Sequence, residues 1–217
     1  MPVAATISNH AKYMLATKKI DLSSDSIKIL LMRDGFTFNK DNHATKSNLK
    51  ATTGEISITF TASDKRITRS SGSFITDGFV VGNKITTTAT LNPGPFTVAV
   101  VSALYLEVSE SVVDEGPVTK IVTADDELQT GYGYTQDTKT LSGLSVSEDD
   151  SNDWAEMTCN DVTWTASGGT IGPTPGAILY DDTTTDDTII GYLSFGANQQ
   201  AASGADFVIS GIKVRIA

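Results

Sequence analysis

Ser71-Gly72-Ser73-Phe74-Ile75-Thr76-Asp77-Gly78-Phe79-Val80-Val81-Gly82-Asn83-Lys84-Ile85 is the stretch whose reading decides the fold. Glycines and Asp or Asn punctuate short apolar pairs, and strand-like segments follow at 84–91 and 96–102. Residues 64–109 therefore read as a small β-unit lodged inside a larger β-domain. The unit holds neither of the chain's histidines nor its single cysteine. Such an insertion adds surface rather than chemistry.

Working outward, Ile56, Ile58 and Phe60 alternate with Ser57 and Thr59, the period of a half-buried strand. Residues 67–69, Val80-Val81 and 85–90 continue that pattern. Asn92-Pro93-Gly94-Pro95 is a forced turn. The segments 96–101 and 104–108 complete a unit of five or six strands, small and β-barrel-like. Residues 112–123 lead back, and Gly131 to Tyr134 re-enter the main domain. The insert is thus expected over 54–127, and a discontinuous core domain over 1–53 and 128–217.

In the flanking domain, residues 7–19 predict the one helix. Ser8 or Asn9 can cap it, Ala11, Met14, Leu15 and Lys18 recur at helical spacing, and Lys18-Lys19 suit the negative end of the dipole. Residues 26–32 read as a core strand ended by the Asp34-Gly35 turn, and 36–49 as a polar surface excursion or a short helix. In the second half, strands are expected at 138–146 with a bulge at Gly143, then at 154–159, 162–165, 177–180, 189–195 and 207–216. Short strands separated by turn clusters indicate a sandwich or barrel. The expected fold is mainly β: an antiparallel β-sandwich-like core with one N-terminal helix and the inserted small β domain.

The 217 residues can bury a sizeable core, and a charged fraction of 19% with abundant Ser, Thr and Gly suits an all-β chain. A net charge of −10 argues against a nucleic-acid binder, which needs a basic stripe; Lys18-Lys19 and Lys65-Arg66 are only pairs. No apolar run approaches the ~18 residues of a membrane span, and no signal peptide is evident, so synthesis without export is expected. Cys159 has no cysteine to pair with and reads as a strand residue.

The candidate chemistry is thin. Nucleophilic catalysis needs a nucleophile, a base and an orienting group, and the only histidines are His10, on the helix, and His43, in a polar segment. The acidic loops 148–153 and 181–187 offer hard oxygens for calcium but lack EF-hand spacing, so solvated turns are the preferred reading. Ser167-Gly168-Gly169-Thr170 and Gly131-Tyr132-Gly133 fall between strands, not at helix N-termini where phosphates bind. Trp154 and Trp164 occupy strand positions, as core residues do. No enzyme, catalytic residue, metal site or cofactor is expected.

Taken in order, several segments resemble a group of small virion proteins of tailed bacteriophages. They are Gly131-Tyr132-Gly133-Tyr134-Thr135-Gln136-Asp137-Thr138-Lys139-Thr140-Leu141-Ser142-Gly143, then Asp149-Asp150-Ser151-Asn152-Asp153, Asp161-Val162-Thr163-Trp164-Thr165, Ala177-Ile178-Leu179-Tyr180-Asp181 and Ile190-Gly191-Tyr192-Leu193-Ser194-Phe195-Gly196. The helix followed by Asp25-Ser26-Ile27-Lys28-Ile29-Leu30-Leu31 is similar to how those proteins begin. The insert's Gly-Ser-Phe-x-x-Asp-Gly-Phe-x-x-Gly-Asn-x-Ile core looks like a β-module found in assorted phage virion proteins. Members of the group run directly from the 36-region loop to the Gly-Tyr stretch; this chain departs from them by the insertion.

The resemblance implies a structural role in the virion and does not by itself separate head from tail. The leading expectation is a decoration or cement protein on the outer surface of the major capsid protein, homotrimeric, made in the host cytoplasm, with no nucleic-acid or membrane partner. A tail, neck, baseplate or fibre-attachment component is the alternative. A receptor- or glycan-binding role for the insert is a further one, and it would require Phe74 and Phe79 to line a surface groove.

Overall fold

The computed structural model describes residues 3–216. The chain divides into two compact units, one holding the residues through Ser47 and from Glu127 onward, the other Asn48–Asp126.

The first unit begins with β1 (Val3–Ala4), β2 (Thr6–Ile7), α1 (Asn9–Ala16) and β3 (Ile27–Leu31). The insert follows with β4 (Lys50–Thr52), β5 (Ile56–Thr61), β6 (Arg66–Arg69), β7 (Lys84–Thr87), β8 (Phe96–Val101), β9 (Tyr105–Val108), β10 (Glu115–Lys120) and β11 (Val122–Asp125). The chain then returns to the first unit through β12 (Ser145–Asp149), β13 (Trp154–Thr158) and β14 (Val162–Thr165). It closes with β15 (Ile171–Asp181), β16 (Thr188–Ala201), β17 (Asp206–Ile209) and β18 (Ile212–Ile216).

The first unit is built from sheets ordered β1-β18-β13-β12 and β2-β16-β15-β3, with a β14-β17 pair. Among the described strands, β1 and β18 alone run parallel. Ile27, Ile29 and Leu31 of β3, Leu179 of β15 and Leu193 of β16 share one core with Met157 and Val214 of the other sheet. Two sheets contributing alternate residues to a common interior make this a sandwich-like arrangement. Trp164 and Phe207, from β14 and β17, close the same core, their rings 6.2 Å apart.

The helix is shorter than its periodicity predicts. Ser8 is extended (φ −69°, ψ 150°), so Ile7 belongs to β2 and the helix starts at Asn9. The Ser8 hydroxyl accepts the Ala11 N–H at 3.0 Å and donates to the Ile189 carbonyl at 2.6 Å, capping the helix and tying it to β16. At the other end the Thr17 hydroxyl donates to the Tyr13 carbonyl at 2.9 Å, and Lys18 turns to φ +56°. Lys18 and Lys19 therefore lie beyond the helix, and only Ala11 and Met14 of the expected stripe are buried.

The insert is one eight-stranded antiparallel sheet ordered β10-β5-β6-β9-β8-β7-β11-β4. It holds more strands than expected and does not close into a barrel, because its two outer strands, β10 and β4, do not pair with each other. β4 pairs with β11, so the unit starts at Asn48 rather than at Gly54.

Other expectations are corrected. Val80 and Val81 are 52% and 62% exposed and lie in a turn: the Val80 N–H bonds to Asn83 Oδ1 at 2.6 Å. Residues 138–144 form no strand. They run beside β3 through the bonds Ile29 N–H to Lys139 O and Leu141 N–H to Ile27 O, and β12 begins only at Ser145. Residues 207–216 break at Ser210-Gly211, where Gly211 takes φ +61°, and the two halves enter different sheets.

Candidate functional site

The insert's signature stretch is a structural staple. Phe74 and Phe79 are 0% and 3% exposed in the insert's core. The Arg69 guanidinium lies 4.8 Å from the centre of the Phe74 ring and pairs with Asp77 at 2.5 Å. Gly72 has φ +76°, a conformation that favours glycine, and a Cβ there would stand 2.3 Å from the same guanidinium, which would have to shift. Asn83 caps the Val80 turn with its oxygen and donates from Nδ2 to Asp126 at 2.8 Å. Asn83 is buried and Asp77 partly buried, and Phe74 and Phe79 line no surface groove that could serve as a platform for glycan binding.

His10 and His43 lie in separate surroundings. His10 Nε2 lies 3.1 Å from Asp186 Oδ2, while the Thr188 hydroxyl donates to the other oxygen of Asp186 at 2.7 Å. The carboxylate thus stands between the imidazole and the nearest hydroxyl of this group, which is not the order of an activated nucleophile. Burial works against ionisation of Asp186, but the bonds from Thr188 and His10 outweigh it and hold its pKa below the usual carboxylate range. His43 stacks on Phe36 at 5.3 Å, close to Phe38 and Tyr192, and its Nδ1 accepts the Asn39 N–H at 3.0 Å. This aromatic cluster anchors the segment read from its polarity as a surface excursion.

Each acidic loop has carboxylates bonded to the protein itself. Asp149 accepts from the Ser151 N–H and the Asn152 side-chain amide, closing the β12–β13 turn. In the second loop Asp182 pairs with Lys28 at 3.0 Å, and Lys46 bridges Asp187 and Asp137, each at 3.0 Å. The buried Tyr180 hydroxyl donates to Asp137. Asp181 is fully buried; desolvation first, and then the neighbouring Asp25, push its pKa up to about 6. Among the described residues no group of three or more His, Cys, Asp or Glu side chains is placed to hold a metal ion. Cys159 is half-buried, and burial with the nearby Asp161 raises its thiol to about 11, far from a reactive thiolate.

Trp164 is buried as expected of a core residue. Trp154 is only partly buried, with the Arg215 guanidinium 4.5 Å above its ring. Arg215 Nε and Lys213 Nζ bind the two oxygens of Glu156 at 2.8 and 2.6 Å, which hold that carboxyl below its usual range.

Arg215 also borders a groove of about 620 Å³ beside the helix. Ala5, Ile7, Leu15 and Ile216 give it an apolar lining, and Lys12, Lys40 and Arg215 bring cations to it. The Asn9 N–H donates to the Lys40 carbonyl at 3.0 Å, which fixes the Lys40 segment against the helix start. A cationic, apolar recess on a chain of net charge −10 suits an acidic protein surface with apolar anchors. Its three cations come from a helix, a turn and the last strand, so no local sequence pattern announces it.

No protein-family model matches the chain, and no similarity to a curated protein or to a solved structure reaches significance.

Proposed function

We propose that the protein is a structural component of a tailed-phage virion, a decoration or cement protein that seats on the outer surface of the major capsid protein. The observation that carries this reading is the ordered series of phage-like motifs within 131–196, which lies in the first unit and supplies much of β14, β15 and β16. The Tyr134 hydroxyl binds Glu127 at 2.6 Å and the Leu31 N–H at 3.1 Å, and Trp164 packs 5.8 Å from the Tyr134 ring. Two of the motif segments, one carrying Tyr134 and the other Trp164, thus pack together in one core.

The helix-side groove is the capsid-facing surface in this reading. Its lysines are solvent-exposed, so they steer and orient the encounter, while Leu15 and Ile7 supply apolar contact. The insert is the outward or inter-subunit element. The Phe74 N–H donates to Ala103 O at 2.9 Å, which lays the segment carrying exposed Ile75 beside the hairpin carrying exposed Leu104. Apolar residues presented this way are suited to contact between neighbouring trimers.

Co-sedimentation of the purified protein with capsids lacking it tests the proposal. Saturable binding that weakens with salt and is lost in the double variant K12E/K40E is expected. Binding to isolated tails but not to capsids would overturn it.

A further inference from the structure

The N-terminal strands cross from one sheet of the first unit to the other. β1 runs beside β18 as far as Ala4, and the Ala5 N–H then donates to the Lys213 carbonyl at 2.8 Å. From Thr6 the chain joins the second sheet, where β2 pairs with β16 and the Ser8 N–H donates to the Ile190 carbonyl at 2.9 Å. The crossing leaves two strand edges uncovered. Lys213 turns its carbonyl toward β1, so the alternation of a strand turns the N–H and C=O of Arg215 the same way, beyond the point where β1 has left. Ser8 turns toward β16, so Ile7 turns its N–H and C=O away from it. No described strand pairs with Arg215 or Ile7 on these sides.

Both edges are regular. β18 pairs with β13 from Lys213 to Ile216 without a register break, and no residue of β2 or β18 takes a positive φ. Ile7 and Arg215 both line the helix-side groove of about 620 Å³. No acidic residue lines it, and Lys12 and Lys40 stand exposed beside it. The nearest carboxylates leave an excess of positive charge. Asp41 meets Lys40 only in an exposed contact at 3.6 Å, and Glu156 is shared between Lys213 and Arg215, so that trio stays net positive.

We propose that this groove takes up an extended, acidic segment of a partner protein as an added β-strand, with the Arg215 edge on one side of it and the Ile7 edge on the other. This deepens the seating surface proposed above and rests on that groove being a docking site. A peptide backbone supplies both the donors and the acceptors that the two edges require, whereas a phosphate backbone supplies acceptors alone. Side chains of an added strand alternate in direction. One set meets Ile7, Leu15 and Ile216, and the other meets Lys12, Lys40 and Arg215. The segment therefore alternates apolar and acidic residues, and local charge selects it. A second copy docking through the same patch would set Lys12 and Arg215 against their own counterparts, which like charge opposes.

Titrating the full, isotope-labelled chain with the blocked hexapeptides Glu-Val-Glu-Val-Glu-Val and Lys-Val-Lys-Val-Lys-Val, followed by amide chemical shifts, tests this. The acidic peptide should shift the Ile7 and Arg215 amides saturably, with a Kd of about 1 mM or below, and less tightly as salt rises. The lysine peptide should leave them unmoved. The double variant K12E/K40E should weaken the acidic peptide at least tenfold. Methylating every peptide nitrogen, which keeps the side chains and removes the donors, should do the same. An acidic peptide that leaves Ile7 and Arg215 unmoved overturns the proposal. So does binding that the lysine peptide matches or that survives methylation, and so does dimerisation of the chain through this groove. If the peptide binds as expected and capsids do not, the capsid reading fails and strand addition stands; capsid binding without peptide binding has the opposite meaning.

Discussion

The rings of Phe74 and Phe79 meet edge to face, 5.4 Å apart, at the centre of the insert's core. The pairing explains why the signature stretch spaces two phenylalanines around Asp77-Gly78: the turn brings both rings inward while Asp77 reaches Arg69. Truncating Phe74 to alanine removes a fully buried ring and is expected to cost about 3–5 kcal/mol. Both tryptophans lie outside 48–126, so tryptophan fluorescence reports the first unit only. Hydrogen exchange should show protection lost across 48–126, a loss that the fluorescence transition does not report.

Asp181 gives a pH dependence of defined sign. Its folded pKa, about 6, lies above the ordinary 3.8, so the folded chain holds a proton that the unfolded chain releases. Stability contributed by this group is full below about pH 4 and declines as pH rises to about 6, by on the order of 3 kcal/mol. Asp181→Asn keeps an acceptor for the Thr183 N–H and removes that slope. Urea titrations at pH 4.5 and 7.5 should show the variant gaining on wild type at the higher pH. Equal differences at both values would contradict the assignment.

Tyr134→Phe leaves the Glu127 carboxylate and the Leu31 N–H without their shared hydroxyl inside the core. A loss of about 1–3 kcal/mol is expected, the cost of taking the hydroxyl acceptor from the buried Leu31 N–H, while Glu127 keeps the bond from the Asp137 N–H. Chemical denaturation followed by tryptophan fluorescence measures it, since Trp164 packs on the same ring.

Ser8→Ala removes the helix cap and the bond to Ile189 together. A cost of about 1–2 kcal/mol is expected, with faster amide exchange in the first turn of the helix, whereas Ser8→Thr should retain most of the stability.

Much of the fold is legible in the sequence where burial follows a simple period. Ile58 and Phe60 alternate into the insert's core, and Ile27, Ile29 and Leu31 into the sandwich. Legibility fails where pairing, not composition, makes the strand. In Lys50-Ala51-Thr52 only Ala51 is apolar, and β4 exists because β11 lies beside it. The reverse holds at Val80-Val81, whose β-branched pair suggests a strand while Asn83 holds it in a turn. The helix-side groove was invisible for a third reason: Lys12, Lys40 and Arg215 share no local pattern and are brought together only by the fold.

Copy number in purified virions tests the virion role most directly. Quantitative mass spectrometry against the major capsid protein should find hundreds of copies per particle, in a fixed ratio to the capsid subunits. Tens of copies or fewer, scaling with tail proteins, or the protein's absence from purified particles, would contradict a capsid decoration role.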